Sequence, residues 1–203
     1  MRKLYVITVF AALVFASGCR TGDAAREFPV GEIREGDLAF RCGRGVFSRA
    51  VLAADSKGEY SHVGIVVKEG GAWKVVHAVP GEREGKADFD RVKMEPLDVF
   101  YSNKRAFRGC LVHTGLTADS LAGSLCSTAI QFARDSVRFD NSYTLSDSSE
   151  VYCTEFVWRL YRRVGTDLTE GRRRSVNILG IDGPVILPEH ILDYSGNTMY
   201  FSF

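Results

Sequence analysis

Most features that would mark an unusual chain are scarce. Of 203 residues, five are Cys, five Pro, three Met and two Trp. So few cysteines at this length cannot make a disulfide scaffold. Neither sign of charge dominates: 26 Lys and Arg stand against 25 Asp and Glu, a formal charge of +1. Without a concentrated basic face, nothing argues for a nucleic-acid partner. No apolar run reaches the roughly 20 residues that a membrane-spanning helix needs, and there is no internal repeat. What remains is ordinary: 45% hydrophobic and 25% charged residues, with thirteen Phe. That composition excludes collagen-like, low-complexity and wholly disordered chains, and the length suits one domain with a real core.

The first residues read as an address. Arg2 and Lys3 precede the apolar stretch Leu4 to Phe15, and small residues follow. This is the pattern of an export signal. Ala16-Ser17-Gly18-Cys19 resembles a bacterial lipobox, in which the cysteine is lipidated and becomes the first residue of the mature chain. The expected organisation is a lipoprotein signal peptide over 1–18, lipid on Cys19, a flexible tether over 19–32 and a folded domain over 33–203. The protein is then expected in the bacterial cell envelope, attached to the membrane through its N-terminal lipid. An ordinary cleaved secretion signal and a retained membrane anchor are the alternatives. Removing residues 1–18 leaves 24 basic and 25 acidic residues, a balance of −1.

Within the domain, hydrophobic period predicts strands first and helices second. Asp37–Arg41, His62–Val67, Trp73–Val79 and, more weakly, Arg105–His113 read as strands, and Glu69-Gly70-Gly71 as a hairpin turn. Val46–Ala54, Thr117–Val137 and Tyr152–Val164 have helical spacing, with a polar loop over 140–149. That order predicts an α+β fold rather than alternating βαβ units.

Three residues carry candidate chemistry. Cys153 falls in the first turn of a predicted helix, where free N–H groups and the dipole favour a thiolate and an oxyanion. His62 opens a strand beside Gly64, an open surface where another group could approach. A cysteine nucleophile needs such an imidazole as base and later acid. His77 sits on the partner strand, on the face of Trp73, Val75 and Val79, where a second ring could orient the first. Each residue has a structural alternative: a core thiol, a strand-edge histidine and a core histidine bonded to backbone.

Taken together, Gly36-Asp37-Leu38, Ser61-His62-Val63-Gly64, His77 and Tyr152-Cys153-Thr154-Glu155 resemble the NlpC-type papain-like hydrolases. In most of that superfamily the cysteine helix precedes these strands. Here it follows them, as in the circularly permuted YaeF/YiiX-like amidases, which are similar to lecithin:retinol acyltransferase relatives. Leu187-Pro188-Glu189 resembles that branch's Pro-Glu/Asp element. Thr154 departs from the usual Ser. The resemblance implies a papain-like α+β fold of permuted topology, antiparallel sheet first and catalytic helix late. It implies Cys153 as nucleophile, His62 as base and His77 as the orienting residue.

The function expected is thiol-dependent hydrolysis of amides through an acyl-enzyme, with no cofactor and no metal. The substrates would be peptides, including cell-wall stem peptides. The alternatives are a lipid N-acyl or ester hydrolase or acyltransferase, and a catalytically silent binding module. Tyr152 is a candidate to line the site. A zinc site from His62, His77 and Cys153 lacks ordinary ligand spacing. Cys42 and Cys110 lie on two predicted strands, which export would allow to be bridged. His113 and His190 read as structural. Arg172-Arg173-Arg174 reads as a solvated loop, or on a tethered protein as a contact for anionic lipid or wall polymer.

Overall fold

The computed structural model describes residues 26–203 except 56, 117–118, 147–148 and 179–180. Cys19 and the signal peptide lie outside these residues. The elements run in the order β1 (Leu38–Cys42), α1 (Val46–Ala54), β2 (His62–Glu69), β3 (Ala72–Val79), β4 (Arg91–Pro96), α2 (Leu97–Phe100), β5 (Arg108–His113) and α3 (Asp119–Arg134). Then come β6 (Arg138–Phe139), β7 (Glu150–Val151), α4 (Cys153–Arg163), β8 (Arg174–Ile178), β9 (Ile181–Val185), α5 (Pro188–Leu192) and β10 (Thr198–Ser202). Eight strands form one sheet in the order β10-β5-β1-β2-β3-β4-β6-β7, and β8 and β9 pair separately. The pairings are antiparallel except β6 with β7.

The alternation read from the sequence sorts the side chains. Val63, Ile65 and Val67 of β2 join Val76 and Ala78 of β3 under Phe156, Val157 and Leu160 of α4. Val66 and Val75 point the other way, into a second cluster with Leu97 and Phe100 of α2. The β2–β3 turn is Gly70-Gly71, with φ of 60° and 79°. Two consecutive residues in that left-handed region suit a hairpin turn whose twist matches its strands.

Several boundaries differ from the sequence expectation. The described part of the expected tether, residues 26–32, lies on the domain. Phe28 packs on Tyr101 with ring centroids 5.6 Å apart, and the Arg26 guanidinium sits 3.8 Å from the Phe203 ring centre. An aromatic and a cation that find such partners do not behave as a free linker. The strand expected from Arg105 starts at Arg108, and β4 (Arg91–Pro96), which alternates charge with hydrocarbon, is a strand the sequence expectation lacks. Cys42 and Cys110 are both free. Cys110 pairs with Phe40, and Cys42 with Arg108, so the thiols are two residues out of register. That diagonal exceeds the reach of a disulfide.

The Gly36-Asp37-Leu38 turn acts as a clasp. Asp37 accepts hydrogen bonds from the Arg34 N–H and the Tyr200 hydroxyl, and lies 2.8 Å from His113 Nδ1. His113 stacks on Tyr200 at 4.0 Å. The start of β1 is thereby tied to β5 and β10.

Candidate functional site

His62 and Cys153 line one cleft of about 310 Å³. They reach it from different layers. His62 is the first residue of β2, on the face that carries Phe100, with ring centroids 5.9 Å apart. Cys153 is the first residue of α4, which covers the opposite face. The start of α4 is pinned to the segment before α5. Thr154 Oγ1 donates to the Ile186 carbonyl at 2.7 Å, and the Ile186 N–H donates to the Tyr152 hydroxyl at 3.0 Å. These bonds flank Cys153 and give the Leu187-Pro188-Glu189 region a positioning task. They also keep Tyr152 buried. Tyr143, rather than Tyr152, lines the cleft.

His77 lies behind His62. Its Nδ1 is 2.8 Å from His62 Nε2, and its Nε2 is 3.3 Å from Glu95 Oε2. Ile65 pairs with Val76, which brings His77 beside Gly64, two residues along β2 from His62. A Cβ on Gly64 would stand 2.9 Å from His77 Cβ and 2.5 Å from Val75 Cγ1. The opening left by Gly64 is therefore filled by the second histidine's strand.

Glu95 fixes the protons of this chain. Burial works against its ionisation, but the bonds from His77 and Arg105 overcome it and hold the carboxyl down at about 2. A carboxylate only accepts, so His77 Nε2 carries a hydrogen. Burial lowers the pKa of both histidines, so both are neutral. His77 Nδ1 then accepts from His62 Nε2–H, and His62 Nδ1 keeps its lone pair. Glu95 sits on β4, a strand absent from the sequence expectation. Its signal is a carboxylate two residues beyond Lys93, the register partner of His77.

Arg41 adds a buried cation. Its guanidinium lies 4.4 Å from the Phe100 ring centre, donates to the Phe100 carbonyl at 3.0 Å and pairs with Glu82. Arg105 pairs with both Glu82 and Glu95. After burial, Arg41 is the largest influence lowering the pKa of His62, and it also lowers that of Cys153.

The thiol itself differs from the sequence expectation of a lowered pKa. Burial pushes Cys153 up to about 11, against the backbone N–H groups of Val63, Thr154 and Cys153. Desolvation outweighs the helix terminus. Cys153 and His62 thus rest as thiol and imidazole rather than as an ion pair.

Other expected positions find structural partners. His190 Nδ1 accepts the Leu187 N–H at 3.1 Å. Arg172 donates to the His190 carbonyl, Arg173 lies 4.6 Å from the Trp158 ring centre, and Arg174 bonds Glu189 and the Ala54 carbonyl. The three arginines are built into the fold rather than forming a solvated loop.

The donors that converge as metal ligands among the described residues are His77, Glu82 and Glu95, within 4.8 Å of one another. His62, His77 and Cys153 form no such group. The acidic set is a poor fit for a cation. Arg41 and Arg105 already neutralise both carboxylates, and His77 spends both ring nitrogens on protein partners.

The family described as "Permuted papain-like amidase enzyme, YaeF/YiiX, C92 family" matches residues 32–173. Among solved structures, the chain is similar to the crystal structure of metalloprotein YiiX from Escherichia coli O157:H7, with a TM-score of 0.68 and 21% identity, over 84% of this chain and 97% of that one. No curated protein matches. At that identity the likeness to YiiX speaks for the fold alone, which is the permuted papain-like α+β architecture.

Proposed function

The chain belongs to the permuted papain-like amidase family, and from that membership we propose a cysteine amidase with Cys153 as nucleophile and His62 as base. His77 and Glu95 orient that base. The observation that carries the reading is the hydrogen-bonded series from Glu95 through His77 to His62, with His62 opening on the same cleft as Cys153.

The chemistry follows from the neutral resting pair. Substrate enters with its carbonyl carbon near Sγ. As sulfur attacks, its proton moves to His62 Nδ1. The imidazolium formed is stabilised through His77 by the Glu95 carboxylate. The backbone N–H groups about the sulfur are the donors available to the developing oxyanion. The C–N bond breaks, and the amine leaves with the proton from His62. Water then attacks the thioester, giving a proton to His62, and the acid departs as the thiol is restored. An ester carbonyl would follow the same course. Peptide amides, cell-wall stem peptides among them, and fatty amides are the acyl classes open to this chemistry. YiiX is described as a metalloprotein, but no step here runs through a metal, because the acidic donors are matched to arginines.

The test is release of amine from N-acyl amides by the purified chain. Turnover is expected in the native protein and absent in Cys153→Ser. Equal turnover in that variant would overturn the assignment.

The N-terminal reading is likewise proposed: export, cleavage before Cys19 and attachment to the envelope membrane by lipid. It is supported by Arg2, Lys3, the apolar run and Ala16-Ser17-Gly18-Cys19. Mass spectrometry of the exported protein should find an acylated chain starting at Cys19. A chain starting elsewhere without acyl mass would remove the anchor.

A further inference from the structure

Three of the seven large apolar side chains that stand exposed among the described residues gather on one rim of the Cys153 cleft. They are Val46 and Phe47 of α1, 64% and 50% exposed, and Phe107, 47% exposed. Arg44 joins the two segments. Its guanidinium lies 5.6 Å from the Phe107 ring centre, and its Nε donates to the Asn103 carbonyl at 2.8 Å. Arg44 and Phe47 both line the cleft. No residue of α1 is buried, so the fold itself does not cover Val46 and Phe47. Clustered apolar side chains left in water mark a surface that something else covers.

Two further observations say what covers it. First, the charge of this rim has one sign. Arg44, Arg49 and Lys104 are exposed. The acidic groups beside them are already paired: Glu59 with Arg108, and Glu82 with Arg41 and Arg105. Second, the chain enters the fold here. Arg26 donates to the carbonyls of Tyr101 and Ala106, the latter directly before Phe107. Arg26 stands seven residues beyond Cys19, a reach of at most about 25 Å.

We propose that this rim is the face by which the protein lies on an anionic phospholipid bilayer, with the cleft mouth turned toward the lipid. The inference extends the proposed attachment through Cys19, which gives proximity, by naming the surface that gives orientation. A second copy of the chain would set cations against cations. A polyanionic polymer would match the charge but leave the Phe rings wet. The interfacial zone of an anionic bilayer meets both needs, because it accepts aromatic rings at headgroup depth and attracts Lys and Arg.

The test places tryptophan at Phe107, or at Leu121 on α3, in the full chain on vesicles of brominated phosphatidylglycerol. Bromine quenches a tryptophan that it touches. Leu121 is also exposed, but α3 packs on the face of the sheet opposite Phe100. The emission gained in Phe107→Trp should be quenched, and that gained in Leu121→Trp should not. Phe47→Trp should behave as Phe107→Trp and serves if the latter fails to fold. The ratio of docked to undocked chain, read from the quenched fraction, should fall about fivefold for each of Arg44→Gln and Lys104→Gln, the equivalent of ~1 kcal/mol per cation near an anionic surface. Quenching should also weaken in brominated phosphatidylcholine. Equal quenching at residues 107 and 121, quenching at neither, or quenching that ignores both charge changes overturns the assignment. The readout is the same whether or not Cys19 carries lipid. An unacylated mass with residue 107 quenched removes the anchor and keeps the face, and an acylated mass with no quenching does the reverse.

Discussion

Strand β2 shows two different ways of being buried. Ile65 and its neighbours on one face pack into the hydrophobic cluster with β3, α3 and α4. On the other face, Arg41, His62, His77, Lys93 and Glu95 cluster at one end and are equally hidden from water. Burial therefore does not separate core from site. The partners do. The apolar face gains from area removed from water, which is non-directional and tolerates repacking. The polar end is a series in which each group satisfies the next, so one deletion strands a neighbour.

That contrast breaks first at His62. His62→Ala should lower turnover on the order of a thousandfold, because the proton acceptor is lost. Near-ultraviolet circular dichroism should stay native. Native turnover in the variant would put the base elsewhere. Three residues along the same strand, Ile65→Ala should do the converse. It should cost about 2–5 kcal/mol of unfolding free energy as a core cavity opens, read by denaturant titration. The folded fraction should keep its kcat. A loss of kcat there would mean that the two faces are coupled.

Glu95→Gln sharpens the comparison within the polar end. Gln can still accept from His77 but carries no charge. kcat/KM should fall about tenfold, the ~1.4 kcal/mol between a charged and a neutral acceptor. The pH profile separates this role from mere packing. In the proposed mechanism the base is the neutral His62 imidazole, and burial has lowered its pKa well below 6.5. The acid limb of kcat/KM should therefore lie well below 6.5. Loss of the Glu95 charge makes the imidazolium less favourable still, so the limb should move to lower pH. An unmoved limb would make Glu95 structural.

The smallest effect is on stability. His62 and His77 have folded pKa values below 6.5, so their contribution is present above 6.5 and is lost as pH falls. On α4, burial raises Glu155 from 4.5 to about 7, so its contribution is present below 4.5 and is lost as pH rises through about 7. Between 4.5 and 6.5 these slopes oppose. Glu155→Gln should remove one of them and make stability fall more steeply with acid. Denaturation midpoints across that window check it, and an unchanged slope would contradict the assignment.

How much of this was legible in the sequence depends on the period of each segment. His62–Val67 and Tyr152–Val164 have clean patterns, and both elements lie within a residue or two of expectation. The same alternation put His62 and His77 on one face. Strand β4 alternates charge with hydrocarbon, an ordinary strand pattern that the expectation lacked, and what the sequence could not show is that its charged face, Glu95 included, is buried. The β8–β9 hairpin and α5 are short and carry little period, so neither could be read. The Cys153 pKa was misjudged because helix position is local, whereas desolvation depends on what the fold lays over the sulfur.

The central claim is that Cys153 carries the acyl group. Brief reaction of the native chain with a dodecanoyl p-nitroanilide, acid quench and peptide mapping tests it directly. A dodecanoyl mass on the peptide containing Cys153, and none in Cys153→Ala, is the predicted result. Continued turnover with the acyl mass on another residue, or with Cys153 unmodified and dispensable, would contradict it.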